Sequence, residues 1–329
     1  GADLRYLQGE TNENAGFVDG SFLRRRRAGG DQFLGGAFLR SAHRLDQGTA
    51  VDASLRLDFW ALRDGERVER RPSTGALLRE EDFPDREGFE PSLSLALRHP
   101  LSETVTFSTS VGTSFRLPTI NELYRPFRVR NDITEANAAL DPERFVSVDA
   151  GLRWEPDDSL ALAVDLFHHW IRDAIANMPI TDPQEAAAVA GFVPPGGTVA
   201  QRRNVDAARV WGLETRLRWQ PTEAWLFSLS YLYSQASFVD SPEQPLLEGN
   251  RFPQAPEHRA VAGLECTPTE DLLLFAQVDY GSEQFDDALE SRRLPSWWNT
   301  RLGARFHLHD AHSVHARVEN LFDEEIVTG

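Results

Sequence analysis

The sequence predicts an all-β protein, an antiparallel transmembrane β-barrel seen in part, on three observations. Hydrophobic residues alternate with polar ones in segment after segment; the connections between segments are strictly short, then long; and tryptophan is confined to segment ends. Successive side chains of a strand point to opposite faces, so a two-residue period means that one face meets apolar surroundings and the other meets water.

The clearest alternation surrounds the middle of the chain. Val105, Phe107, Thr109, Val111, Thr113 and Phe115 alternate with Thr106, Ser108, Ser110, Gly112 and Ser114, and Val146, Val148, Ala150, Leu152 and Trp154 alternate with Ser147, Asp149, Gly151 and Arg153. From the start of the chain, such segments span 2–10, 32–44, 49–63, 89–99, 103–115, 143–154, 159–173, 206–219, 223–236, 257–266, 271–281, 295–307 and 312–320, about thirteen strands in all.

The connections Asp46-Gln-Gly48, Pro100-Leu-Ser102, Glu155-Pro-Asp-Asp158, Gln220-Pro-Thr222, Thr267-Pro-Thr-Glu270 and Asp310-Ala311 have the composition of hairpin turns. Those at 11–31, 64–88, 116–142, 174–205, 237–256 and 282–294 are long, polar and rich in Arg, Glu, Pro and Gly. Strict alternation puts every short turn at one end of the array and every long loop at the other, as in outer-membrane barrels. A soluble sandwich has no physical reason to keep that order, and no residue-level repeat supports a propeller or solenoid.

The tryptophans agree. By parity Trp154, Trp170, Trp211, Trp219, Trp225 and Trp298 share the aliphatic face at strand ends, where a barrel carries its interfacial girdles, whereas Trp60 and Trp297 fall on the other face. That other face also holds Asp52, Arg56 and Asp58, then Glu214, Arg216 and Arg218, then Asn299, Arg301 and Arg305, a charge density that a dry core could not bury.

The chain has 329 residues, 41% of them hydrophobic, and can bury a large core. No run reaches the roughly 18 apolar residues of a membrane helix; the nearest are 272–275 and 186–193. Net charge is −17 and every basic residue is arginine, so a phosphate backbone is repelled and no nucleic acid is expected as a partner. Cys266 is the sole cysteine and can form no intramolecular disulfide. Gly1-Ala-Asp-Leu-Arg5 has the pattern of a strand interior and not of a signal peptide, so the chain is expected to be a fragment.

Four segments carry a resemblance. Phe115-Arg-Leu-Pro-Thr-Ile-Asn-Glu-Leu-Tyr124, Asn137-Ala-Ala-Leu-Asp-Pro-Glu143, Asn204 through Val210-Trp-Gly-Leu-Glu214, and Val318-Glu-Asn-Leu-Phe-Asp323 resemble, in order, recurrent elements of the barrel of TonB-dependent outer-membrane receptors. Ala138 departs from that family's usual proline. The resemblance implies a 22-stranded barrel of which residues 1–329 are the C-terminal part, without the N-terminal plug, the TonB box or the last strand. It also implies energy-coupled uptake of a ferric siderophore, corrinoid or similar scarce nutrient in the bacterial outer membrane. The expected partners are that small molecule, the TonB complex acting through the plug, and outer-membrane lipid and lipopolysaccharide. A plug-free barrel acting as a pore or surface-binding scaffold is the alternative.

The candidate ligand contacts are Arg24, Arg25, Arg26 and Arg27 in the first long connection and Tyr124, Arg125, Phe127, Arg128 and Arg130 in the third. Guanidinium matches carboxylate and catecholate oxygens, so these residues are expected to form an electropositive mouth for an anionic chelate. A solvated charge run, or pairing with lipopolysaccharide phosphates, uses the same residue types. His307, His309, His312 and His315 cluster about a turn, but their parity conflicts and no metal ligand is assigned. The acidic stretch Glu80–Glu87 lacks the register of a calcium loop. A nucleophile elbow, P-loop, dinucleotide fingerprint and zinc-protease helix are all missing, so neither catalysis nor a cofactor is expected.

Overall fold

In a computed structural model, residues 1–18, 20–240, 245–309 and 312–327 are described. The elements begin with β1 (Ala2–Val18), β2 (Ser21–Arg44), β3 (Ala50–Arg70), β4 (Leu77–Asp82), β5 (Arg86–Pro100) and β6 (Val105–Arg116). Helix α1 (Ile120–Tyr124), β7 (Phe127–Val129), β8 (Asp132–Glu135), β9 (Glu143–Asp157), β10 (Leu160–Pro179) and helix α2 (Pro183–Ala190) follow. The chain continues through β11 (Val199–Thr222), β12 (Trp225–Asp240), β13 (His258–Thr269), β14 (Leu272–Gly281), β15 (Gln284–Phe285), β16 (Arg293–Leu294), β17 (Trp297–His309) and β18 (His312–Val318).

Thirteen strands form one continuous antiparallel wall in the order β1-β2-β3-β5-β6-β9-β10-β11-β12-β13-β14-β17-β18, each expected segment falling on one of them. β4 attaches to β3, and β8 joins β11 in parallel. β1 and β18 each have a single neighbour, so the sheet is not closed. The short connections lie at or within a few residues of the expected ones; the turn expected at 220–222 falls at 223–224, because β11 runs on to Thr222, and Asp310 and Ala311 fall outside the described residues.

One face of the wall is aliphatic and bare. Leu55 is 59% exposed, Leu152 48% and Leu302 41%, and no second sheet among the described residues covers them. The opposite face carries ion pairs between strands, such as Arg56 of β3 with Asp3 of β1, across β2, at 2.6 Å and Arg216 of β11 with Asp165 of the adjacent β10 at 3.0 Å. A sandwich would invert this arrangement, burying the leucines and wetting the charges. No helix among the described residues is long and apolar enough to cross a membrane.

The strands run further than alternation alone indicates. β1 and β2 extend through most of 11–31, β3 continues to Arg70, and β11 starts at Val199. Beyond the aliphatic belt both faces are wetted, so the two-residue signal fades while the backbone ladder goes on. On β1 the outer face passes from Leu4 and Tyr6 to Gln8 and Glu10. A bulge at Asp64 (φ 52°) then shifts the register of β3, so that Arg67 and Glu69 point inward and Glu66 points out. Part of the acidic stretch expected as a loop, Glu80–Asp82, is strand β4, laid against Arg67 and Val68 of β3.

Candidate functional site

The 116–142 connection folds back onto the inner face of β2 and β3. Thr119 caps α1 by accepting from the Glu122 amide at 3.2 Å, and Glu122 accepts from the Thr119 amide at 2.7 Å, a reciprocal capping box that defines the helix start. Leu123 is fully buried, and Tyr124, 3% exposed, lies among Trp60, Leu62 and Leu140. Its ring stacks on Phe83 with centroids 5.3 Å apart. Glycine permits this seat: a Cβ on Gly30 would come within 2.7 Å of the Tyr124 ring, and one on Gly65 within 2.6 Å.

Polar bonds fix the return of the loop. The Gln32 amide donates to the Pro118 carbonyl at 3.1 Å, and the Asn137 backbone amide donates to the Glu122 carbonyl at 3.0 Å. Asn204 accepts from the Asp141 amide at 2.9 Å and donates to the Asp173 carbonyl at 2.7 Å. Three of the four segments singled out by resemblance thus meet in one place, holding the loop on the wall.

Beside this anchor lies a cavity of about 670 Å³. Five arginines line it, Arg24, Arg26, Arg125, Arg128 and Arg130, against two carboxylates, Glu13 and Glu135, with Phe127 and Phe17 among its apolar walls. Beneath its floor Glu69, fully buried, accepts from Arg24, from Arg26 Nε at 2.8 Å and from Arg67 Nη2 at 2.7 Å. Burial alone would raise the Glu69 pKa, but Arg67 and Arg26 outweigh it and hold the carboxyl at about 2. Arg67 also reaches Glu135 at 2.7 Å, and Arg26 donates to the Pro126 carbonyl at 2.9 Å.

The rim carries positive charge that the described residues do not neutralise. Arg128 donates to the Arg130 carbonyl and, at 3.1 Å, to the Asn131 side chain, while its Nη1 is buried without a partner among the described residues. Neither Arg128 nor Arg130 has a carboxylate partner among the described residues. Arg202 stacks over Phe127 at 5.5 Å; burial, aided by nearby Arg125 and opposed by Glu122, lowers its pKa.

Six of the nine candidate contacts, Arg24, Arg26, Arg125, Phe127, Arg128 and Arg130, meet at this cavity. Three do not. Arg24–Arg27 were expected in a loop but lie on β2, where alternation sends Arg25 and Arg27 to the outer face; Arg27 pairs there with Glu66 at 2.7 Å. Tyr124 was expected at the mouth and is instead buried, at the border of a second cavity of about 740 Å³ lined also by Arg67, Phe83 and Arg86. Glu13, Glu69, Glu135 and Arg202 were not anticipated. Glu69 carries no sequence signal, because its role follows from the bulge at Asp64.

Among the tryptophans, Trp154, Trp170, Trp219, Trp225 and Trp298 are exposed on the aliphatic face, 41–55% each, while Trp211 is half-buried beside Tyr233. Trp60 is buried on the inner face. His168 stacks on Trp170, whereas His169 faces Asp149 on the other side at 3.4 Å.

The sequence model described as "TonB dependent receptor-like, beta-barrel" matches residues 1–321. The chain belongs to the TonB-dependent receptor family, as part of its β-barrel. TonB-dependent receptors reside in the outer membrane, and so does this chain. It is 28% identical over 233 residues to the iron-regulated outer membrane virulence protein of Vibrio cholerae serotype O1, covering 67% of this chain and 34% of that protein. It is 23% identical over 249 residues to the vitamin B12 transporter BtuB of Photobacterium profundum, covering 75% and 36%. The solved ferric yersiniabactin uptake receptor FyuA of Yersinia pestis superposes with a TM-score of 0.70 at 14% identity, over 98% of this chain and 49% of that one, a likeness of fold. The chain spans about a third of the length of these curated relatives.

Proposed function

We propose that the chain forms the ligand-facing barrel wall of an outer-membrane receptor that takes up a scarce anionic nutrient, a ferric siderophore in the first instance. The carrying observation is the cavity of about 670 Å³ with five arginines against two carboxylates. Its volume lies in the range of small-molecule sites, roughly 300–1,000 Å³. Planar guanidiniums pair bidentately with carboxylate and catecholate oxygens, and aromatic walls take the apolar parts of a chelate. The relatives, an iron-regulated protein and a vitamin B12 transporter, support uptake of scarce nutrients and keep a corrinoid in the same class.

In this reading a plug and the remaining strands, lying outside this chain, complete the receptor, and the TonB complex delivers energy through the plug. The six outward tryptophans anchor the wall at the two membrane interfaces, in contact with lipid and lipopolysaccharide. The chain itself carries out no catalysis.

The test is ligand binding by the full-length receptor with Arg128→Ala and Arg130→Ala combined, measured against ferric chelates of the carboxylate, catecholate and hydroxamate classes. The anionic chelates should bind at least about tenfold more weakly, as expected when charge-assisted hydrogen bonds are removed. Unchanged affinity across all three classes overturns the arginine cavity as the ligand site.

A further inference from the structure

We infer that Glu13 is an internal counter-ion whose place on the cavity arginines is taken by the anionic group of the incoming ligand. This rests on the reading of the cavity as an anion site and names the residue that regulates it.

Arg26 is held by two carboxylates of unlike accessibility. Glu69 grips its Nε at 2.8 Å from beneath, with a side chain that is 0% exposed. Glu13 reaches its Nη1 at 3.2 Å from the cavity wall, with a side chain 25% exposed. Glu13 also takes Arg125 Nη2 at 2.8 Å on its other oxygen. One carboxylate therefore spans two guanidiniums, one from the wall and one from the folded-back loop, which is the arrangement a ligand carboxylate would adopt in the same position.

The difference in depth makes the two grips functionally distinct. A ligand cannot reach Glu69 without displacing Arg24, Arg26 and Arg67, which enclose it, so that contact persists. It can compete for Glu13, because Glu13 lines the cavity. Arg128 and Arg130, which line the same space without a carboxylate partner among the described residues, offer the first landing point. Withdrawal of Glu13 then adds Arg26 and Arg125 to the ligand's partners. The same exchange breaks the ion pair between β1 and the 125–131 segment, loosening that segment from the β1–β2 hairpin.

While Glu13 occupies the guanidiniums, only the fraction of molecules in which it has withdrawn is fully competent, and apparent affinity falls by that fraction. Glu13→Gln keeps the size and removes the charge that competes. The experiment is calorimetric titration of the full-length receptor with citrate as the probe anion. It compares the unmodified receptor with Glu13→Gln, with the combined Arg128→Ala and Arg130→Ala variant, and with Glu66→Gln as a charge control on the outer face.

Glu13→Gln should bind citrate about tenfold more tightly while Glu66→Gln leaves it unchanged. Equal or weaker binding by Glu13→Gln, with weakening in the arginine variant, overturns the counter-ion role and leaves the anion cavity standing. Equal tightening by both glutamate variants also overturns it, since net charge alone would then be responsible. Absence of citrate binding in every form, up to high millimolar concentration, overturns the anion cavity and the counter-ion role together.

Discussion

Glu69 shows how one side chain can be decided by a backbone irregularity two turns of ladder away. Without the bulge at Asp64, parity would send it outward; with it, the carboxylate lies under the cavity floor and satisfies three guanidiniums. Replacing Glu69 with alanine removes the one carboxylate that Arg24 has among the described residues and leaves Arg26 and Arg67 with Glu13 and Glu135 alone, a loss expected to cost about 3 kcal/mol. Urea unfolding of the full-length receptor in lipid vesicles measures it, and a loss below about 1 kcal/mol would show that the network is not a stability element. The pH dependence has a definite sign. The folded carboxyl titrates at about 2, against 4.5 for the free group, so its stabilisation is complete above about 4.5 and disappears as pH falls from there through 2. Loop protection measured by hydrogen exchange should therefore fall between those values in the unmodified receptor more steeply than in Glu69→Gln.

At the scale of elements, α1 is too short to be stable by itself, and its five residues depend on the capping box and on the hydrophobic seat beneath Tyr124. Thr119→Ala removes one half of the box and should cost about 1 kcal/mol, whereas Thr119→Ser should cost little. Limited proteolysis across 117–131 reads the difference, and equal cleavage of all three forms would show that the box does not hold the loop. Both helices fall in stretches expected only as long polar connections, although Thr119-x-x-Glu122 has the form of a capping box and Asp182-Pro183 and Gly191 stand at the two ends of α2. Where α1 docks could not be read, because its seat on β2 and β3 comes from residues about 60–90 positions earlier, and α2 packs instead against Ile133 of β8 and Val199 of β11. The extra length of β1, β2, β3 and β11 was hidden for another reason: outside the membrane belt neither face needs to be apolar.

Across the whole molecule, the wall divides hydrocarbon from water by side-chain parity alone. Leu152→Arg on the bare face should destabilise the inserted receptor by about 2–4 kcal/mol if it lies near the membrane midplane, while Arg153→Leu on the other face should be tolerated. Heat-modified mobility and folding yield in vesicles report on both, and equal effects from the two substitutions would contradict the assignment of faces.

The residues by themselves determined the class of fold, the number and order of wall strands, the side that meets lipid and the family resemblance, because each of these follows from local periodicity and turn chemistry repeated along the chain. They also supplied the arginines. Which arginines share a cavity was settled only in three dimensions, where β2 parity divides Arg24 and Arg26 from Arg25 and Arg27, a register shift turns Glu69 inward, and the 116–142 loop folds back to bring Arg125, Arg128 and Arg130 to a wall about a hundred residues earlier. Charges act through space and sequence patterns along the chain, so the electrostatics of the site had to await the fold.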